Sequence, residues 1–222
     1  MPPLLGLAVW TQALPDRAEI GTYFTVLLFV RLLTVCYEHE TYLGAIYTGA
    51  LTNDLLRPRP VVLQPLGENL AWRAWHVVMA VPLVVALGLL TSVRASWAEI
   101  ALAVPALVLA AALRFLFSYT LVLTAFWTQR AHAIASAGAL LVFLLGGEAA
   151  PIPLLPVAQR AWLAALPFRA MIGFPAEVAS GLATGADVLA GYAWQLLWLG
   201  AFAFAATQVW RVGLRRYTAV GG

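Results

Sequence analysis

Apolar runs the length of a bilayer recur along this chain, and they decide most of what it can become. Residues 20–37, 72–90, 98–126 and 188–210 each approach or exceed the ~20 residues that a helix needs to cross a ~30 Å hydrocarbon core. A fifth run grows out of the polar turn Thr128-Gln129-Arg130-Ala131-His132 and ends near Leu145, short for a full crossing. Residues 3–14 are apolar too, but at 1.5 Å per residue they reach only about 18 Å and read as the tail of a span. The chain is 63% hydrophobic and 10% charged, whereas soluble domains are about a quarter charged. The expected fold is an all-α polytopic membrane protein, with about five full transmembrane helices plus a partial first span. With no internal repeat, residues 1–222 form one transmembrane domain.

The runs carry charges and breakers at particular places. Arg31 lies inside residues 20–37, and Glu38, His39 and Glu40 mark the polar end of that run. Arg73 and His76 fall in the first turn of residues 72–90. The longest run, 98–126, holds Pro105 and Arg114; it reads as one helix kinked at Pro105, or as two half-helices meeting near Arg114. Residues 146–187 break the rhythm with five of the thirteen prolines and with Glu148, Arg160 and Arg169. Their apolar pieces, near 157–166 and 170–178, are too short to span and read as re-entrant or interfacial helices.

All thirteen basic residues are arginine. Arginines gather on cytoplasmic loops, which accounts for the net charge of +3 with no nucleic acid as partner. Placing residues 38–60 inside groups Arg57, Arg59, Arg73, Arg130, Arg211, Arg215 and Arg216 in the cytoplasm and leaves Arg17, Arg94, Arg160 and Arg169 outside. That topology puts residues 146–187 on the extracytoplasmic side and the C-terminus in the cytoplasm. Nine tryptophans and seven tyrosines suit a chain surrounded by membrane lipid, because amphipathic rings favour the interface. No cleavable signal peptide is expected, since Met1 is followed by Pro-Pro-Leu-Leu without a positive leader.

Residues 38–60 are the one semi-polar stretch between long apolar runs. Leu43, Ile46, Tyr47, Ala50 and Leu51 recur at three- and four-residue steps, with Thr41, Thr48, Thr52 and Asn53 elsewhere on the wheel. The spacing predicts an amphipathic helix that Pro58 cannot continue. It serves either as an ordinary surface helix between two spans or as a handle for a soluble partner.

Ile46-x-x-Gly49-x-Leu51 followed by Leu55-Leu56-Arg57-Pro58 resembles the loop after the second span in ABC-2 type export permeases. Further matches follow in order: Ala125-Phe126-Trp127-Thr128, Gly146-Gly147-x3-Pro151 with Pro156, Leu166-Pro167-Phe168 with Pro175, and Arg216-Tyr217-Thr218-Ala219-Val220-Gly221-Gly222. The resemblance covers about residues 20–222. It implies six spans, with an elbow helix and the rest of a first span ahead of residue 3. It also implies a bacterial inner-membrane location and a dimer of identical or paralogous permeases with the export pathway between them. Two separate ATP-binding cassette ATPase subunits would supply ATP and Mg chemistry. Ile46, Gly49, Leu51, Leu55, Leu56, Arg57, Pro58 and Arg59 would then form the ATPase-coupling segment. Pro151, Pro156, Pro167, Phe168 and Pro175 would shape an outer gate.

The residues exclude several other chemistries. There is no lysine for a P-loop, no HExxH, no CxxC and no G-x-S-x-G. An ATP-hydrolysing or proteolytic centre is therefore not expected in this chain, and neither is a cofactor or metal site. Cys36 reads as a small buried hydrophobe. Phe126 and Trp127 read as part of an aromatic belt. Arg31 and Arg114 each cost about 2.5–3.5 kcal/mol on insertion scales and must face the protein interior, a cavity or a partner. Glu148 and Glu38 are candidate partners for Arg31, and the arginines serve either packing or the translocation path. Two other functions remain open: a non-transporting membrane scaffold or assembly factor, and an ion-coupled secondary carrier using Arg31 and Arg114.

Overall fold

A computed structural model describes residues 2–14, 18–36, 38–91 and 95–217. Within these the chain runs α1 (Pro2–Ala13), α2 (Ala18–Thr34), α3 (Glu38–Tyr47), α4 (Leu51–Leu55), α5 (Leu63–Thr91), α6 (Trp97–Val122), α7 (Ala131–Leu145), α8 (Val157–Ala165), α9 (Pro167–Met171), α10 (Gly173–Ala179) and α11 (Ala186–Leu214). There is no strand among the described residues. The protein is an all-α polytopic membrane protein. Three stretches are long and apolar enough to cross a bilayer by themselves: Leu63–Leu89, Trp97–Phe126 and Ala186–Leu214. At 1.5 Å per residue, α2 and α7 reach about 26 and 23 Å.

Short as it is, α2 is enclosed along much of its length. Ile20, Tyr23, Phe24, Leu27 and Val30 follow the helical repeat and are buried against Leu113 and Phe117 of α6, Val142 of α7 and Ala170, Met171, Ile172 and Ala176 of α9–α10. Protein on several sides is what lets α2 also bury Thr22, Thr25 and Thr34; Thr25 donates to the Gly21 carbonyl at 2.8 Å, whereas the Thr34 hydroxyl is buried without a hydrogen-bond partner among the described residues. In contrast, α5 turns Trp72, Trp75, Val78, Met79 and Val81 outward, which in this class of protein means toward lipid or another subunit.

Two expectations about the long spans are revised. The helix that holds the 72–90 run, α5, begins at Leu63 rather than residue 72, so Arg73 lies well inside it. Its early turns hold Gln64, Glu68 and Asn69, which depress hydropathy without breaking a helix; Gln64 donates to Glu68 at 3.4 Å, one turn on. Arg73 reaches across to donate to the Ala111 carbonyl at 3.0 Å and to the Cys36 sulfur at 3.7 Å. It therefore leaves the arginines expected on cytoplasmic loops, just as Arg169, enclosed beside Glu177, leaves those expected outside. Cys36 is half-buried and polar-bonded rather than a plain core residue. Secondly, α6 runs unbroken past Pro105 and Arg114, so the half-helix alternative fails. A Ser96–Glu99 capping box starts that helix, and a 3₁₀ turn over Leu123–Phe126 ends it.

Candidate functional site

The amphipathic stretch forms two short helices, not one. Gly49 adopts φ 79°, a left-handed conformation that a side chain resists, and it separates α3 from α4. The apolar positions still converge. Leu43, Ile46 and Leu51 are buried together with Tyr42, against Phe115, Tyr119, Val122 and Leu123 of α6 and its 3₁₀ end, Ala131 of α7 and Ala206 of α11. Burial above all, with Tyr119 beside it, holds the Tyr42 phenol above its ordinary pKa, so it sits in this wall as a neutral hydroxyl.

Polar bonds fasten the same segment at two further points. The Tyr47 hydroxyl donates to the Thr128 carbonyl at 3.0 Å and accepts from the Ala131 amide at 3.3 Å, gripping the first turn of α7. Thr52 and Tyr217 share a hydroxyl–hydroxyl bond at 3.3 Å, tying α4 to the chain just after α11. Tyr217 in turn packs edge-on to Phe126, which also meets Trp210 and Trp127. Phe126 thus serves an aromatic cluster that joins α6 to α11, while Trp127 stays 41% exposed.

Beyond Leu51 the segment turns outward. Asp54 is buried and lies 3.5 Å from Arg57 and 3.7 Å from Arg59. Leu56 is 80% exposed, and Arg57, Pro58, Arg59 and Pro60 are exposed around it. Of the predicted coupling residues, Ile46 and Leu51 are anchors, Gly49 is the hinge point, and Leu55, Leu56, Arg57, Pro58 and Arg59 form the tip. Leu55 and Leu56 thus stand exposed side by side, just ahead of the exposed Arg57-Pro58-Arg59-Pro60.

A second constellation lies toward the opposite end. Arg31 forms an ion pair with Glu148, whose carboxylate is 2% exposed. The Glu38 side chain, the other candidate, lies outside the described residues. Glu148 reaches Arg31 because α7 stops short and the chain turns back beside α2. Gly147, at φ 96°, makes that turn; its carbonyl accepts from the Tyr23 hydroxyl at 2.9 Å, and a Cβ there would fall 2.6 Å from the same oxygen. Arg114 is electrostatically felt by Arg31 and lines a small cavity of about 40 Å³ with Cys36, Phe117 and Ser118.

The proline-rich residues 146–187 form the three short helices α8–α10, of which α10 is buried along its whole length. Pro151, Pro167 and Pro175 are buried and Pro156 is exposed. Phe168 meets Phe117 of α6 edge-on at 6.0 Å. Gln195 of α11 donates to the Ala106 carbonyl at 2.9 Å and the Ala170 carbonyl at 3.0 Å, binding α6, α9 and α11.

One constellation escaped the sequence. Arg169 Nε donates to both carboxylate oxygens of Glu177, at 3.2 and 2.9 Å, and Nη2 donates at 2.6 Å; both side chains are almost wholly enclosed. The guanidinium also lies 5.6 Å over the Phe174 ring. The available signal was a lone acid inside an otherwise apolar piece, eight residues from a lone arginine.

No group of residues suited to hold a metal ion occurs among the described residues. No curated protein and no solved structure matches the chain. The model of the family described as ABC-2 family transporter protein matches residues 14–221. The chain belongs to that family, as a multi-pass transmembrane permease of an ABC-type transporter.

Proposed function

We propose that this chain is the export permease of an ABC-2 system, that it pairs with a second permease, identical or paralogous, and that separate ATP-binding cassette subunits drive it from the cytoplasm. The observation that carries the reading is the division of residues 38–60 into a buried base and an exposed tip. The base touches α6, α7 and α11 at once, so a push on Leu55–Arg59 reaches three helices through packed side chains rather than through a flexible loop. The opposite end, with α9 and α10 wedged between α2, α6 and α11, is where the moving helices would part as an outer gate. The outward apolar face of α5 offers surface to a partner permease or to lipid. With the ATPase docked there, the α3–α4 end and the C-terminus would face the cytoplasm of a bacterial cell with this chain in its inner membrane, and ATP and Mg would belong to the partner.

The test is export and ATP hydrolysis by the assembled complex. Gly49→Val and Arg57→Glu should each reduce export coupled to ATP hydrolysis while the chain still inserts in the membrane. Wild-type export with both changes present removes the segment from the mechanism.

A further inference from the structure

A groove of about 580 Å³ opens where residues 59–62 pass between α6 and α11, walled by Val61, Val62, Leu116, Tyr119, Ala206 and Trp210. Along α11 it extends from Ala203 to Leu214, about 17 Å at 1.5 Å per residue. Among the described residues, the charged side chains on its wall are Arg59 and Arg211. A second hollow of about 300 Å³ adjoins it, sharing Trp210, Arg211 and Leu214 and adding Arg215. A long apolar slot thus ends in a shallow depression edged by arginines, in the size range of ligand sites.

We infer that this groove is a binding site for an anionic phospholipid of the leaflet on the α3–α4 side, with an acyl chain along α6 and α11 and its phosphate among Arg59, Arg211 and Arg215. The chemistry matches at both ends. The apolar walls suit an acyl chain, and guanidinium groups at a helix end snorkel to the level of the phosphates. Basic pockets between transmembrane helices are how anionic headgroups are selected. Asp54 offsets part of the charge through Arg57 and Arg59, and Arg211 and Arg215 stand exposed beyond it. A second copy of the chain fits less well, because a two-fold pairing through this face would set its arginines against their own copies. A soluble ATPase fits less well still, because two walls are membrane helices.

The lipid would bridge the coupling tip to α11, a consequence separate from how the complex is powered. The experiment is native mass spectrometry of the purified complex in mixed micelles of dioleoyl-phosphatidylglycerol and dioleoyl-phosphatidylcholine. The phosphatidylglycerol should be retained in excess. Arg211→Gln and Arg215→Gln should each cut that excess about fivefold, and Arg160→Gln, exposed and remote, should leave it unchanged. Ala203→Trp, which fills the groove and spares the arginines, should remove the retained lipid. Equal retention of the two lipids, or an excess indifferent to Arg211 and Arg215, overturns the inference. So does an Ala203→Trp variant that loses a partner permease while keeping its lipid, for the groove is then a subunit interface. These readings use binding alone, so they stand or fall independently of ATP-driven export.

Discussion

Tyr47 and Thr128, 81 positions apart in the chain, are joined by a 3.0 Å hydrogen bond from the tyrosine hydroxyl to the threonine carbonyl. The bond ties the last turn of α3 to the loop that starts α7, and the same oxygen accepts from Ala131. Tyr47→Phe keeps the ring and removes the hydroxyl. Because the site is half-buried, the loss should be about 1 kcal/mol, seen as a small fall in melting temperature. The effect on ATP-coupled export should be larger than that fall suggests, since the lost bond lies between tip and bundle.

The Arg31–Glu148 pair predicts a non-additive mutant cycle. Glu148→Gln leaves the arginine inside the bundle without its counter-charge. The cost should be about 1–3 kcal/mol, below that of a fully enclosed pair because Arg31 retains 32% side-chain exposure. Arg31→Met with Glu148→Met should recover most of the loss. Thermal unfolding in detergent reads both; strict additivity of the single changes would show that the two charges do not depend on each other.

Arg169 and Glu177 are enclosed on both sides, so the same logic gives a larger number. Glu177→Gln should destabilise by about 3–5 kcal/mol and loosen α9 from α10. Arg160 is exposed and its guanidinium donates to the Pro153 carbonyl at 3.3 Å, so Arg160→Gln should change stability by less than about 0.5 kcal/mol.

How much of this was legible follows from which signals act locally. The long spans were, because hydropathy over twenty residues needs no knowledge of neighbours; α6 and α11 fall close to where the runs place them. The start of α5 was not, since Gln64, Glu68 and Asn69 look like loop to a hydropathy reading and like a helix only to the backbone. The periodicity of residues 43–51 named Leu43, Ile46 and Leu51 correctly as buried, but it also put Ala50, which is exposed, on the same face. It ran through Gly49, because apolar spacing carries no information about φ. Glu148 was one of two candidates for Arg31, and only the backward turn at Gly147 decides in its favour. Arg169 and Glu177 meet across the junction of two short helices, a geometry that no single period describes.

Gly49 gives a prediction about the hinge itself. A valine there must hold a left-handed φ, at a cost of about 1–2 kcal/mol, or let α3 and α4 merge and swing the tip away. Gly49→Asn tolerates that conformation and should restore most of the export lost in Gly49→Val. If asparagine and valine behave alike, side-chain bulk rather than backbone conformation is what the position excludes.

If a separate ATPase takes hold of this chain, it does so at the exposed tip around Leu56. A photo-crosslinking amino acid placed at Leu56 in native membranes, followed by mass spectrometry of the adduct, tests it most directly. The account predicts an adduct with a P-loop ATPase that disappears when Arg57→Glu is introduced. Adducts only with lipid, or with a protein from the opposite side of the membrane, would contradict it.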